Sequence, residues 1–416
     1  MKKEKIVLAY SGGLDTSIIV KWLVDRGYEV ICCLVDIGQK VQDLKKIKHK
    51  ATAICGASKV YVIDAREEFV KKYIFTAMKW NAQYEGEYYL GTSLARPLIA
   101  QKQIEILRKE NAQIVSHGAT GKGNDQVRFE MAYYALKPDV KILAPWKNDE
   151  FLARFPGRQE MIAFAKENGI PIKATKAQPW STDENLMHIS FESGVLEDPW
   201  FKPPAEMFEY TVSPMKAPNK ITEITISFKK GIPVKINGKA LSPLEIIKTL
   251  NKLGGENGVG RLDMVENRFV GMKSRGVYET PGATILWKAH RAMESITTDR
   301  DMIHLRDKLM PEFAEMTYNG FWFSDKMRAI NLFIDETQEY VTGTVRLEIY
   351  KGNITVTGRK SPYSLYDIHI ATMDNDGGAY TPKDAIGFIK LMALPQRLQN
   401  IKRSKKNQKK NNESKK

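Results

Sequence analysis

The chain has 416 residues and carries 64 Lys and Arg against 49 Asp and Glu, a formal net charge of +15. With 43% hydrophobic residues it can bury cores in two or three domains and is too apolar for global disorder. Three cysteines cannot build a disulfide framework, and no apolar run approaches the roughly 18 residues of a membrane span, so a cytoplasmic protein without membrane contact is expected.

In chain order, Lys5–Tyr10 reads as a buried strand, Asp15–Asp25 as a helix closed by Gly27, and Glu29–Val35 as a second strand. A helix over Val41–Ile54, a strand over Lys59–Ile63 and a helix over Arg66–Trp80 follow. Next come a helix over Leu94–Lys109, a strand over Gln113–Ser116, a helix over Asp125–Leu136 and a strand over Lys141–Ala144. Alternation at these lengths predicts an α/β domain, a doubly wound and mostly parallel sheet, over residues 1–174. Beyond Ala174 the rhythm changes. Hairpins are predicted around Lys230-Gly231 and across Lys351-Gly352-Asn353, with a helix from Ser242, its N-cap, to Leu253. These elements predict an α+β second domain over 175–380. A terminal helix over Pro382–Leu394 falls in a segment spanning 381–396. From Lys402 onward eight basic residues face the single acid Glu413 with no apolar residue, so 397–416 is expected to be a disordered tail. Its charge would attract nucleic acid, but a merely solvated tail is the better reading.

Ala9-Tyr10-Ser11-Gly12-Gly13-Leu14-Asp15-Thr16-Ser17 stands where the first strand hands over to the first helix. Paired glycines let the backbone turn and approach a ligand closely, and the helix N-terminus with three hydroxyls makes an anion cradle. The loop is not Walker A, since no Gly-Lys-Ser/Thr follows, and it lacks the Gly-x-Gly-x-x-Gly of dinucleotide folds. Asp15 is odd beside phosphates unless it caps the helix or helps to position Mg²⁺. Among six histidines, none has metal-ligand spacing with Cys or carboxylates, so no protein-bound metal site is predicted.

Three further blocks concentrate polar chemistry. Tyr84–Pro97 places aromatics and hydroxyls before a helix. Ser116–Glu130 is a glycine-rich loop running into a helix, with Thr120, Asn124, Asp125 and Arg128 close together. An Arg can clamp a carboxylate bidentately, while Asn and Asp read an ammonium or amide. The third block is Pro179-Trp180-Ser181-Thr182-Asp183-Glu184-Asn185-Leu186, continued by Met187-His188-Ile189-Ser190.

The first loop resembles that of the N-type ATP pyrophosphatases, which transfer AMP to a substrate oxygen. With the other blocks, and with Val265-Glu266-Asn267-Arg268, Met272-Lys273-Ser274-Arg275-Gly276 and Tyr278-Glu279-Thr280-Pro281, the chain resembles the argininosuccinate synthase family from about Ile6 to Phe388. The resemblance implies an adenine nucleotide alpha hydrolase-like domain and a C-terminal oligomerisation helix. It implies ligation of citrulline to aspartate with ATP and Mg²⁺, giving AMP and pyrophosphate through a citrullyl-adenylate, and a homotetramer. Its ATP contacts fall on Ala9, Tyr10, Ser11, Gly12, Gly13, Leu14, Asp15, Thr16, Ser17, Val35 and Gly118. Its citrulline contacts fall on Tyr88, Ser93, Asn124, Arg128, Ser181, Ser190, Glu266 and Tyr278. Its aspartate contacts fall on Thr120, Asn124 and Asp125. Asp15, Asp125 and Arg128 are the candidates for the chemistry, with Asp125 or a phosphate oxygen as acceptor of the aspartate ammonium proton. The rival is another enzyme of the loop family acting on transfer RNA, but the sulfur-moving relatives generally need paired catalytic cysteines. Cys32 and Cys33, adjacent in a strand, point to opposite faces and read as core.

Overall fold

The computed structural model describes residues 3–40, 43–171 and 179–414. By its contacts the chain divides into a large unit reaching to Tyr363 and a small one from Ser364 onward.

The large unit opens with five parallel strands, β1 (Lys5–Ala9), β2 (Glu29–Asp36), β3 (Lys59–Asp64), β4 (Ile114–Ser116) and β5 (Lys141–Leu143). They lie in the order β3-β2-β1-β4-β5. Val, Ile and Leu fill β1 and β2 because helices cover both faces, the usual condition of a parallel sheet. Cys32 and Cys33 are buried on opposite faces, each in a different core cluster. The chain first builds outward from β1 through β2 to β3, then returns to lay β4 on the other side of β1. Strand order therefore reverses between β1 and β4, and the loops leaving their carboxyl ends diverge to open a crevice.

Residue 178 is the last outside the described residues before the second half, so the expected boundary at 174/175 lies outside them. Beyond it come β6 (Ser181–Glu184), β7 (Ile189–Glu192), β8 (Thr222–Lys229), β9 (Ile232–Ile236), β10 (Lys239–Ala240), β11 (Arg261–Asn267), β12 (Lys273–Glu279), β13 (Gly343–Tyr350) and β14 (Asn353–Lys360). Both predicted hairpins form, and Ser242 caps its helix in a full capping box with Glu245. They join in a five-stranded antiparallel sheet, β10-β9-β8-β13-β14. A second antiparallel sheet, β11-β12-β7-β6, was not expected. One core runs from Val7 and Ile31 under the parallel sheet to Ile224 and Val345 under the five-stranded one. The second half is thus continuous in packing with the first.

Two local expectations are corrected, and one of the two readings left open for Asp15 falls. Gly13, not Asp15, caps the first helix, which runs over Leu14–Asp25 with Asp15 in its first turn. The helix predicted from Val41 (itself outside the described residues) runs over Leu44–His49 and widens into π turns over Lys50–Ile54. The basic tail expected to be disordered over 397–416 is instead helical over Leu394–Glu413. Lys, Arg, Gln and Leu are strong helix formers, Pro395 sits in the first turn where its missing N–H costs nothing, and no glycine interrupts. That helix follows another over Asp384–Met392, so the terminal segment is two helices.

Candidate active site

The nucleotide end is built on the carboxyl ends of β1, β2 and β4. Ala9 closes β1, Val35 lies near the end of β2, and the Tyr10 amide still bonds to the Cys33 carbonyl at 2.9 Å. At Gly12 the backbone has φ +78°, a left-handed conformation that an L side chain resists, and an added Cβ would lie 3.0 Å from Ile47. That turn sends Gly13 into the helix cap. The first amides of any α-helix lack intrahelical partners, so those from Leu14 onward face the loop. Hydroxyls brace the turn: Ser11 Oγ accepts from the Gly13 amide at 3.2 Å and lies 3.1 Å from Thr16 Oγ1, while Ser17 Oγ donates to the Gly13 carbonyl at 2.6 Å. Tyr10 packs its hydroxyl 3.2 Å from Ser17 Oγ. The Asp15 side chain is exposed, yet the loops around it reduce its hydration enough to raise its pKa, with Arg158 pulling the other way.

The glycine-rich loop after β4 meets this turn directly. A Cβ on Gly118 would stand 3.0 Å from Thr16 Cγ2, so glycine lets the two loops touch this closely without displacing Thr16. His117, fully buried, holds the loop's start: its Nδ1 accepts from the Ala119 amide at 3.2 Å and its Nε2 lies 3.1 Å from Glu130. His117 thus supports the loop.

Beyond Gly118 opens a cavity of about 900 Å³. Its wall includes Tyr88, Gly118, Thr120, Asn124, Asp125, Arg128, Ser181, Ser190, Glu266 and Tyr278. Ser93 is fully buried and lies outside that wall, as do Ala9–Ser17 and Val35. The unexpected sheet explains how residues so far apart converge. In its ladder Asp183 faces Ser190, Ser190 faces Tyr278, and Glu266 faces Ser274. Side chains alternate along a strand, so Ser181, Asp183, Ser190, Tyr278 and Glu266 share one face. The other face places Ile189, Phe191 and Val277 in a small core.

On the opposite wall, a left-handed Leu90 (φ +65°) turns the chain into the helix Gly91–Lys109 and aims Tyr88 inward. Tyr88 packs on Tyr278 at 4.7 Å between ring centroids, and the Tyr278 hydroxyl donates to Glu266 Oε1 at 2.8 Å. The Arg128 guanidinium lies 4.7 Å above the Tyr318 ring, donates through Nε to the Tyr318 carbonyl at 2.7 Å and through Nη1 to Asp125 Oδ1 at 2.9 Å.

Eleven buried side-chain N and O atoms among the described residues have no hydrogen-bond partner, and three of them are Ser93 Oγ, Asn124 Oδ1 and Glu266 Oε2. Such atoms are rare and costly inside proteins, and a polar ligand would satisfy them. All three belong to expected citrulline contacts. The charges are equally specific. Burial alone would raise the Asp125 pKa, but Arg96 and Arg128 outweigh it and hold the carboxyl below its usual range. Glu192 goes the other way: burial raises it, and its partner Arg268 at 2.6 Å only partly offsets that. Burial likewise pushes His188 down to about 4, leaving the ring neutral against Thr92 at 3.0 Å. Among the described residues, no group of three His, Cys, Asp or Glu could hold a metal ion.

The sequence reading missed Arg96, Asp183, Glu192, Arg268 and Tyr318 as members of this wall. Tyr318 belongs to the buried core, stacks on Tyr84 at 3.7 Å and also closes the cavity beside Arg128. Arg96 and Asp183 both stood in the quoted blocks, but their partnership spans 87 residues, which spacing cannot reveal.

The family model described as the arginosuccinate synthase N-terminal HUP domain matches residues 5–171, and that of the arginosuccinate synthase C-terminal domain matches 180–399. The chain belongs to the argininosuccinate synthase family. An argininosuccinate synthase of Thermotoga sp. (strain RQ2) is 57% identical over 397 residues, 94% of this chain and 96% of that one. Another, of Syntrophus aciditrophicus (strain SB), is 53% identical over 401 residues, 96% and 99% of the two chains. A solved 4-thiouridine synthetase–RNA complex with bound ATP aligns with 40% of this chain at 16% identity and a TM-score of 0.28, too distant to bear on the assignment.

Proposed function

We propose that this member of the family ligates L-citrulline to L-aspartate, with ATP cleaved to AMP and pyrophosphate. The observation that carries the reading is the junction of an anion-binding turn with a polar, Arg- and Asp-lined cavity at Gly118. The ureido oxygen of citrulline attacks the α-phosphorus of ATP, expelling pyrophosphate. The resulting citrullyl-adenylate carries a good leaving group on the ureido carbon, which aspartate then attacks through its amine, expelling AMP.

The helix amides from Leu14 and the hydroxyls of Ser11 and Thr16 hold the phosphates, with the buried Ser17 hydroxyl bracing the turn, where preorganised dipoles stabilise the charge of the departing pyrophosphate. Mg²⁺, when bound, would neutralise phosphate charge. Asp15, exposed at the loop with hydroxyls nearby, suits a cation shared with phosphates better than an all-protein cage. Tyr88, Ser93, Asn124, Arg128, Ser181, Ser190, Glu266 and Tyr278 hold citrulline, with Arg128 directed at its carboxylate. Thr120, Asn124 and Asp125 hold aspartate. An Asp125 carboxylate kept at low pKa binds an ammonium well and accepts its proton poorly.

The small unit exposes Ile386, Phe388, Ile389, Leu391 and Met392 on one short helix. Apolar exposure on that scale supports covering by further copies of the chain, in keeping with a homotetramer. No helix among the described residues is long and apolar enough to cross a membrane, and three buried, unpaired cysteines suit a reducing, cytoplasmic compartment. The test is pyrophosphate release by the purified protein. Continuous release should require ATP, citrulline and aspartate together, with ATP and citrulline alone giving at most a single turnover; release that ignores citrulline but responds to transfer RNA would favour the rival.

A further inference from the structure

Arg96 lies on the Gly91–Lys109 helix, three residues beyond Ser93, with only 14% of its side chain accessible. Its Nε donates to Asp125 Oδ2 at 2.9 Å, and its Nη2 lies 2.8 Å from the same oxygen. The same Nη2 reaches Asp183 Oδ2 on β6 at 2.6 Å, where Thr92 Oγ1 also approaches to 3.2 Å. The other Asp125 oxygen is taken by Arg128. Asp125 therefore has a guanidinium on each oxygen, one from its own helix and one from a neighbouring helix anchored to the antiparallel sheet. A carboxylate gripped at both oxygens cannot rotate about its terminal bond, yet Oδ1, held by Arg128 alone, keeps a second lone pair for another donor. All four charged groups line the cavity.

A pair that served packing alone would need one cation for one anion. Here two cations converge on the carboxylate expected to meet aspartate, and the second is tied back to the opposite wall. We infer that Arg96 is a positioning residue for aspartate: it fixes the Asp125 carboxylate in orientation and charge so that it meets the α-ammonium of aspartate, and Asp183 is its anchor. The inference rests on the reading of Asp125 as an aspartate contact. It goes beyond that reading by making aspartate use depend on the junction between the parallel-sheet half and the antiparallel sheet. Adenylation of citrulline has no such requirement, because neither Arg96 nor Asp183 touches the phosphate turn.

The full-length enzyme carrying Arg96→Lys keeps the positive charge but cannot reach both carboxylates with a planar fork. The expected result is a KM for aspartate raised about 10- to 100-fold, with citrulline-dependent ATP–pyrophosphate exchange within about threefold of wild type. The exchange reaction reports intact folding in the same sample. Arg96→Gln leaves two carboxylates face to face and should be worse in aspartate use. Asp183→Asn, which spares Asp125, should raise the aspartate KM about three- to tenfold and decides the matter if neither Arg96 variant folds. Asp125→Asn is the reference, and combined with Arg96→Lys its effect should not add, because both act on one contact. An unchanged aspartate KM in Asp125→Asn would overturn the reading of Asp125. A raised KM there, with Arg96→Lys and Asp183→Asn near wild type, would overturn the positioning role. Equal loss of exchange and ligation in Arg96→Lys would reduce Arg96 to a structural tie.

Discussion

At the proposed nucleotide end, the cradle would be made by nine consecutive residues and one glycine across the crevice, mostly with backbone and hydroxyls. At the substrate end the wall is drawn from several helices, the glycine-rich loop and three of the strands of the antiparallel sheet plus the end of its fourth, spread between Tyr88 and Tyr318, and side chains dominate it. The first region tolerates almost no change in backbone shape but asks little of the rest of the fold. The second exists only when β6, β7, β11 and β12 have found one another and docked against the helices of the parallel sheet. A local site can be disabled by one Cβ, whereas a distributed site should lose affinity one contact at a time.

The largest expected effect therefore belongs to Gly12→Val. A β-branched residue at φ +78° is strained by about 1–3 kcal/mol, and its side chain would press on Ile47. ATP binding measured by calorimetry should fall below detection, while citrulline binding persists. Retained ATP affinity would mean that the cradle lies elsewhere.

Next comes Tyr278→Phe, which removes one charge-assisted hydrogen bond to Glu266 and leaves a buried carboxylate oxygen short of a partner. The expected loss is about 1.5–3 kcal/mol, or roughly 10- to 100-fold in kcat/KM for citrulline, with ATP affinity intact. Comparable losses for ATP would dissolve the contrast between the two regions.

The contrast also governs what could be read from residues alone. The phosphate turn, the parallel sheet and both hairpins were legible because their signals are local: apolar runs of strand length, glycines at the turns, and Ser242 with Glu245 at a cap. The four-stranded sheet was not. Ser181–Glu184 is polar along its length, because one of its faces serves the cavity and cannot show the apolar alternation of an ordinary strand. Its site residues were placed by family resemblance, and their spatial convergence came only with the structure. The tail was misread for a different reason: composition excludes burial but not helix, and Leu394–Glu413 is rich in helix formers.

A smaller effect is expected from pH. The folded pKa of His188, about 4, lies below its ordinary value of 6.5 because burial disfavours the charged ring. The unfolded chain then takes up a proton that the folded chain refuses. Stability is complete above pH 6.5 and falls as pH drops towards 4, by about 2 kcal/mol at pH 5 from this residue. Urea unfolding at pH 7 and pH 5 should show a smaller drop for His188→Gln than for wild type. An identical pH dependence would place a charged ring in the wild-type fold.

The smallest effect is expected from ending the chain at Ile401. The described residues removed are exposed, and the segment lies outside the unit that contains the site, so ligation should stay within about twofold of wild type. A truncated protein that cannot ligate would put the basic helix in the active assembly.

The central claim is that the two regions cooperate in one displacement: the substrate wall aims the ureido oxygen at the phosphorus that the phosphate turn presents. Citrulline labelled with ¹⁸O in its ureido group tests this most directly, with products resolved by mass spectrometry. The account predicts that the label leaves in AMP, with unlabelled pyrophosphate and argininosuccinate that has lost the labelled oxygen. Unlabelled AMP, or label in pyrophosphate, would contradict it.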